Sequence, residues 1–491
     1  MENANHLIQE KVRKLNEIRD SGINPYPYSY KIDIKSNDLK DKYNYLKEEE
    51  DSKDVYSVAG RIIALRRMGK ATFGRIRDSE DELQLYFRFD DVGEEQYNLL
   101  KKSDVGDIVG VKGHVFKTKT GEITLYVESY EMLSKSIRPM PEKYHGIQDL
   151  ELKSRKRYLD LITDPESRKR FKTRSLIVSE IRNWLNNEGF MEVETPILQP
   201  LYGGAAARPF VTHHNELKMD MYLKISPELY LKRLIVGGFD KVYDMNKNFR
   251  NEGVDKSHNP EFTMIEWYEA WTDYKFQMER FENLVSHLCK MVHGKYTVEY
   301  QGVELNFKPP WTRMTMADAI KKYADIDILK MDRDELMQYA IDNRMEYNDD
   351  MNKGHLINLI FEEKCEHELI QPTFITEHPI EISPLTKESR MLGKEFVERF
   401  EPFCFGMEIG NAYSELNDPI EQRRRLEEQA KARETDEEAH PMDEDFCEAI
   451  DYAMPPTGGV GLGVDRIVML LTNSATIRDI ILFPTMKKEE N

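Results

Sequence analysis

Apolar and polar residues alternate in five short runs between Val55 and about Met140: VYSVAGRIIAL, ATFGRIRD, ELQLYFRF, DIVGVKGHVFKT and GEITLYVESYEML. A period of two sends successive side chains to opposite faces, so each run predicts a strand with one buried face. EEQYNLLKKS, ahead of the last two runs, has helical spacing instead. Five strands and one helix predict a small barrel. Upstream, Leu7, Ile8, Val12, Leu15 and Ile18 recur at helical spacing among Lys11, Arg13, Lys14 and Arg19, and the glycine and two prolines of SGINPYP close that helix. Downstream, SRKRFKTRSLIVSEIRNWLNNEGFMEVETPIL predicts a long helix with Ile177, Ile181, Trp184 and Leu185 on its apolar side, stopped at Gly189 and followed by a strand ending at Pro196. Residues 300–370 leave the strand pattern for helical runs, MADAIKKY, RDELMQYAIDN and HLINLIFEEKCEHELI. The expected division is a helical extension at 1–54, a barrel at 55–140, a linker at 141–164 and a second domain at 165–491 carrying a helical insertion at 300–370.

The same parity sorts chemistry. In ELQLYFRF, Leu83, Leu85, Phe87 and Phe89 share the inner face while Gln84, Tyr86 and Arg88 share the outer one; in TFGRIRD, Ile76 points in and Phe73, Arg75 and Arg77 point out. Rings to stack bases, guanidinium groups for phosphates and an amide to read a base edge make a single-strand nucleic-acid platform. The strand count suits an OB-fold. An ordinary barrel surface with half-buried aromatics has the same composition, so both readings stand at this point.

Farther along, Arg250 and Glu252 fall on one strand face, and after the loop NEGVDKSHNPE a second strand sets Phe262, Met264, Glu266 and Tyr268 opposite Thr263, Ile265 and Trp267. A face of Arg, Glu, Phe, Glu and Tyr is a costly core and a sensible pocket, because buried charges must be paired. The competing reading is an amphipathic hairpin with its charged side in water. ERFEPFCFGMEIGNAYSELND, at 398–418, adds Glu401 and Glu408, then Asn411, Tyr413 and Glu415 at strand period. These carboxylates are either solvated acids or partners for cations, and Mg²⁺ prefers carboxylate and phosphate oxygens. GGVGLGVDRIVML carries G-x-G-x-G-x-D-R at the start of a helix, in place of the G-x-G-x-x-G of a dinucleotide-binding βαβ unit. Its glycines let a nucleotide approach the backbone and place Arg466 for a phosphate.

Composition narrows the class. A chain of 491 residues exceeds what one core serves, and 40% hydrophobic with 32% charged residues describes a soluble globular protein. No uncharged apolar run reaches about 18 residues, and MENANHLIQEKVRKLNE has neither an apolar h-region nor a small-residue cleavage site. A cytoplasmic protein with no membrane partner is expected. Cys289, Cys365, Cys404 and Cys447 stand far apart, without zinc-like spacing, and read as core thiols. The net charge of −19 argues against nucleic acid only if it is evenly spread; 55–140 holds 14 Lys/Arg against 13 Asp/Glu. Acidity sits in stretches such as EEQAKARETDEEAHPMDEDFCE, at 427–448, which reads as a solvated helical face and loop.

Three blocks follow in order: GFMEVETP at 189–196, FRNEG with HNPEFTMIEWYEA at 249–270, and GVGLGVDRIVML at 459–470. Together they resemble motifs 1, 2 and 3 of the class II aminoacyl-tRNA synthetases, most finely the lysyl-tRNA synthetases. GGAAARPFVTHHNE, SPELYLKR, HPIEISPL and TIRDIILFPTM extend the resemblance over nearly the whole chain. It implies an α+β fold, with a class II antiparallel sheet flanked by helices and an N-terminal OB-fold that binds the anticodon. The motif 1 helix and strand would build a homodimer. The implied activity is ATP-dependent activation of L-lysine to lysyl-adenylate and transfer to the 3′ end of tRNA(Lys). By this resemblance Arg250 and Arg466 are catalytic, and Gly204, Glu228, Glu266, Tyr268, Asn411, Tyr413 and Glu415 bind lysine. Arg250, Glu252, His258, Phe262, Glu401, Glu408 and Arg466 bind ATP, with Glu401 and Glu408 holding Mg²⁺, while Phe73 and Gln84 bind the anticodon. Three rivals are weighed against it. An aspartyl- or asparaginyl-type enzyme shares the motifs, but an acidic substrate would need a cation where Glu266 and Glu415 stand. A catalytically silent OB-fold RNA-binding regulator would be expected to lack Arg250, Arg466 or the metal carboxylates, and a lysine ligase acting on a translation factor would lack the barrel.

Overall fold

The structure is a computed structural model that describes residues 2–141, 147, 149–432 and 441–488. Parts of the expected linker and of the acidic stretch, 142–146, 148 and 433–440, lie outside the described residues. The chain forms two compact units, Met1–Ile147 and Gln148–Asn491.

In the first unit, β1 (Asp51–Met68), β2 (Ala71–Arg77), β3 (Glu82–Arg88), β4 (Ile108–Lys117) and β5 (Ile123–Ser134) close a barrel in the order β1-β2-β3-β5-β4. The alternation places Ile76, Leu83, Leu85 and Phe87 inside, where each buried side chain contributes about 1.5–3 kcal/mol. Phe89 departs from the expected strand face. β3 ends at Arg88, and Phe89 opens the short helix Phe89–Val92. Ile18, Leu39 and Tyr43, from the helices Glu2–Asp20 and Ser36–Tyr43, join the barrel's own core.

The second unit is built on a 10-stranded sheet. Its main path runs Thr312–Thr315, Thr373–Pro379, Gly393–Cys404, Gly410–Ser414, Thr457–Leu462, Glu261–Ala270, Lys241–Phe249 and Met191–Glu192. Along this path only the outermost pair at each end is parallel. Helices Pro165–Asn187, Tyr274–His293 and Val464–Leu471 cover one face: Ile177, Ile181 and Leu185 share a core with Trp267, Phe281 and Val468. Local chemistry starts and stops these helices. Asp164 caps the first from the residue before Pro165, Asp273 caps the second by accepting from the N–H groups of Lys275 and Phe276, and Gly294 ends it at φ +70°. The strand expected to reach Pro196 is only Met191–Glu192. Helices Met316–Tyr323, Arg333–Asp342 and Lys353–Lys364 bury Ile320, Leu336 and Ile360 against Ile375 and Phe403. The strand Thr312–Thr315 just before them belongs to the main sheet, so this region is not wholly helical.

Candidate active site

Parity along three adjacent strands decides which face carries chemistry. Ile265, Trp267, Ala412 and Val460 face the helices and are buried in the main core. Their neighbours point the other way, and register aligns them in rows: Glu266 beside Gly461 beside Asn411, and Tyr268 beside Gly459 beside Tyr413. The middle strand has glycine in both rows because side chains would fill the pocket floor. A Cβ at Gly459 would come within 2.0 Å of Glu415 Oε1 and 2.5 Å of the Tyr268 ring. Above the floor lies a pocket of about 640 Å³.

One end is a buried anionic cluster. Ser226 donates to Glu266 Oε1 at 2.7 Å and accepts from the Glu228 N–H at 3.1 Å, while the Tyr268 hydroxyl donates to Glu266 Oε2 at 3.2 Å. Glu228, Glu266 and Glu415 are 3%, 4% and 0% exposed, deep enough that each charge requires a partner. Neither oxygen of Glu415 accepts a well-aligned hydrogen bond among the described residues. Burial, and then the charge of Glu228, holds the Glu266 carboxyl well above the usual carboxylate range. Glu415 is raised likewise by burial, partly offset by the ammonium of Lys232. Gly204, at φ +85°, brings its backbone against this cluster; a Cβ there would sit 2.8 Å from Ser226 Oγ and 2.9 Å from Glu228 Cβ. Asn411 donates to the Tyr413 hydroxyl at 3.1 Å and accepts from Arg399 Nε at 3.0 Å.

The other end is cationic and aromatic. The strand expected to present Arg250 and Glu252 together stops at Phe249, so both stand on the following loop, with Glu252 exposed; the loop still brings both to the pocket wall. The Arg250 N–H donates to Pro260 O at 2.9 Å, and its guanidinium lies 5.2 Å from the centre of the Phe262 ring. Arg250 Nε is buried with no hydrogen-bond partner among the described residues. Arg466, in the first turn of Val464–Leu471, donates to Glu408 O at 2.5 Å and lies 3.2 Å from His258 Nε2. Its neighbour Asp465 ties the motifs together, accepting from the Thr263 N–H at 2.8 Å and pairing with Arg174 at 2.6 Å. Glu401 pairs with Arg399. Glu408 is held above the usual carboxylate range by burial and then by Glu401, despite the arginines nearby. Glu366, in the wall, is pushed up to about 8 by withdrawal from solvent and then by Glu362, Glu401 and Glu408.

The fold thus gathers the expected pocket residues into one cavity wall with one exception: Glu415 is set back from the wall, fully buried beside Gly459 and Lys232. Sequence reasoning missed Ser226, Lys232, Arg399 and Glu366. Only Lys232 left a signal, its spacing of four from Glu228 on a helix.

On the barrel, Phe73 lies 4.7 Å from Tyr86, and Tyr86 lies 5.3 Å from Tyr126, which stacks on His114 at 4.8 Å. Gln84 donates to Thr124 Oγ1 at 3.0 Å. Arg75 pairs with Glu122 at 2.5 Å and Arg77 pairs with Glu82, so two guanidinium groups expected to meet phosphates are neutralised by neighbouring strands. Tyr126 and His114 were not anticipated, because their strands come later in the chain.

Residues 149–487 match the family described as tRNA synthetases class II (D, K and N), and residues 56–133 match the OB-fold nucleic acid binding domain. The chain belongs to the class II tRNA synthetases. Within them it is similar over its length to proteins named lysine–tRNA ligase. It is 49% identical to that of Bacillus cytotoxicus over 500 residues, covering 100% of both chains. It is 50% identical to that of Oceanobacillus iheyensis over 490 residues, covering 99% of both, and 51% identical to that of Clostridium novyi over 488 residues, covering 98% of this chain and 95% of the relative. The fold class and the family expected from the three motifs are borne out. No helix among the described residues is long and apolar enough to cross a membrane.

Proposed function

We propose that this chain joins L-lysine to tRNA(Lys) at the expense of ATP, and that the observation carrying this reading is the buried trio Glu228, Glu266 and Glu415 beside the cationic end of the same pocket. Two ammonium groups and one carboxylate describe lysine, and the pocket offers the complement of each. Glu228 and the Gly204 backbone would take the α-amino group, Glu266, Tyr268 and Glu415 the side-chain ammonium, and Arg250 the carboxylate. With an aspartate side chain, three buried carboxylates would face a fourth.

The lysine carboxylate attacks the α-phosphorus of ATP; a carboxylate O–P bond forms and the bond to pyrophosphate breaks. No side-chain nucleophile is needed, so positioning and charge stabilisation supply the catalysis. Arg250 spans the carboxylate and the α-phosphate, Phe262 stacks on adenine with Glu252 beside it, and His258 and Arg466 hold the outer phosphates. In the second step a hydroxyl of the terminal tRNA ribose attacks the acyl carbon and AMP leaves. The residues present fit Mg²⁺: Glu401 and Glu408 are hard oxygen donors whose mutual repulsion calls for a cation. Among the described residues no three His, Cys, Asp or Glu side chains converge on a metal position, which suits an ion completed by phosphate oxygens. Bound there, it would neutralise charge on the ATP phosphates.

The barrel, 55–140, would read the anticodon, with Phe73 stacking on a base and Gln84 bonding its edge. A homodimer through the motif 1 helix is supported by Leu176, Met191 and Leu198, apolar residues left 50%, 40% and 47% exposed. The reaction belongs to translation and hence to the cytoplasm. The test is ATP–pyrophosphate exchange with all twenty amino acids compared, followed by charging of tRNA(Lys). Exchange should depend on L-lysine; dependence on aspartate or asparagine, or no exchange, would overturn the proposal.

A further inference from the structure

Lys232 stands behind the pocket floor, fully buried, one turn after Glu228 on the helix Glu228–Val236. Its Nζ donates to Glu228 Oε1 at 2.7 Å and lies 2.5 Å from Glu415 Oε2. It therefore joins two carboxylates that the lysine reading gives to opposite ends of the substrate. A buried ammonium needs a reason, because hydrophobic packing would hold this helix at lower cost.

Resting on the reading of this pocket as the lysine site, we propose that Lys232 is a positioning residue, a resident counter-cation that sets how many substrate ammonium groups the site accepts. Three buried carboxylates less one internal ammonium leave two negative charges. L-Lysine brings two ammonium groups, and its own carboxylate is met by Arg250. The count closes only with Lys232 charged.

The surroundings keep it so. Glu228 faces it from its own helix and Glu415 from the end of the strand Gly410–Ser414; Glu266, Tyr268 and Tyr413 complete the polar side. The Phe446 ring lies 5.9 Å from Nζ. Arg233, the next residue, is engaged by Asp443 and Asp445, each at 2.9 Å, while Arg250 and Arg399 act on Glu266 and Tyr413. Burial opposes the ammonium, yet Glu228 and Glu415 outweigh it and raise the Lys232 pKa above its ordinary value. Without this cation, three like charges would share a dry site, and Glu266 and Glu415, already held above the usual carboxylate range, would keep their protons more tightly still in competition with substrate.

The test uses the full-length enzyme, its Lys232→Met and Lys232→Gln variants, and lysine-dependent pyrophosphate exchange from about pH 6 to about pH 9. Both variants are expected to fold, with a lowered melting temperature because two buried carboxylates lose their counter-ion, and to keep their KM for ATP. Their KM for lysine should rise about tenfold or more near neutrality, and the rise of kcat/KM with pH should move upward by about one unit, a tenfold effect. A loss equal at every pH, or shared by the KM for ATP, marks a packing role and overturns the inference, as does failure of both variants to fold. The two readings fail differently. If the parent enzyme shows no lysine-dependent exchange, the proposed function falls; if it does, and Glu266→Gln impairs it while the Lys232 variants keep the parent's pH profile, only this inference falls.

Discussion

Glu266→Gln removes one charge from the pocket floor and almost nothing else. The amide oxygen can still accept from Ser226, and the amide nitrogen replaces the oxygen 3.2 Å from the Tyr268 hydroxyl, which can turn to accept. Removing one partner of a buried charge pair costs about 2–5 kcal/mol. Part of that is already spent in the parent enzyme: the Glu266 carboxyl, pushed up to about 8 by burial and then by Glu228, must lose a proton before it pairs with lysine. At pH 7 that deprotonation takes on the order of 1 kcal/mol. The net loss should be about 1–4 kcal/mol, or roughly fivefold to a thousandfold in KM for lysine. Pyrophosphate exchange with lysine and then ATP varied would show the first constant rising and the second unchanged. The gap should widen toward about pH 9, where the parent carboxylate is ionised and the amide gains nothing. Lysine kinetics unchanged at either pH would refute the assignment of Glu266 to the substrate ammonium.

Other outcomes are equally specific. Glu266 and Glu415 hold protons more tightly when folded than unfolded, so their contribution to stability falls as pH rises from the ordinary carboxylate range to about 8; lysine, which supplies cations, should raise Tm more at about pH 8.5 than at about pH 6, whereas equal rises by calorimetry would mean that the carboxylates are ionised throughout. Phe73→Ala should raise the KM for tRNA by about 1–3 kcal/mol of lost stacking and spare lysyl-adenylate formation; equal damage to both half-reactions would indicate a folding defect instead. Glu401→Gln and Glu408→Gln should abolish pyrophosphate exchange at ordinary Mg²⁺ while a non-hydrolysable lysyl-adenylate analogue still binds, because the analogue lacks the outer phosphates. An analogue affinity that collapses with exchange would withdraw the metal role.

Alternation made much of this legible. It placed Leu83, Leu85 and Phe87 inside the barrel, and it put Glu266 and Tyr268 on one face against Ile265 and Trp267 on the other, because a strand's parity is local information. What escaped depended on distant partners. Ser226 reaches Glu266 across 40 residues of chain, Arg399 meets Asn411 from an adjacent strand, and Arg75 is neutralised by Glu122, the residue before β5. Arg250 and Glu252 were placed on a strand because nothing in their alternation marks its end at Phe249. Lys232 lay in view at helical spacing from Glu228, yet a Glu and a Lys four apart usually sit in water, and only packing shows that this pair does not.

The strand Thr457–Leu462 separates Glu261–Ala270 from Gly410–Ser414 in the middle of the sheet, yet it comes after both in the chain. On a ribosome adding about 5–20 residues per second, the interval between Ala270 and Thr457 lasts roughly 10–40 s. Throughout it, Glu261–Ala270 waits with one edge unpaired, and Gly410–Ser414 then emerges to face the same vacancy. The barrel strands, finished at Ser134, can close long before. A nascent chain therefore passes through a stage with a complete barrel and an open half-sheet, a template for mispairing that chaperones would be drawn to. No partial pocket exists on the way: the glycine strand that keeps the floor clear is also the one that joins its halves, so the pocket arrives whole or not at all.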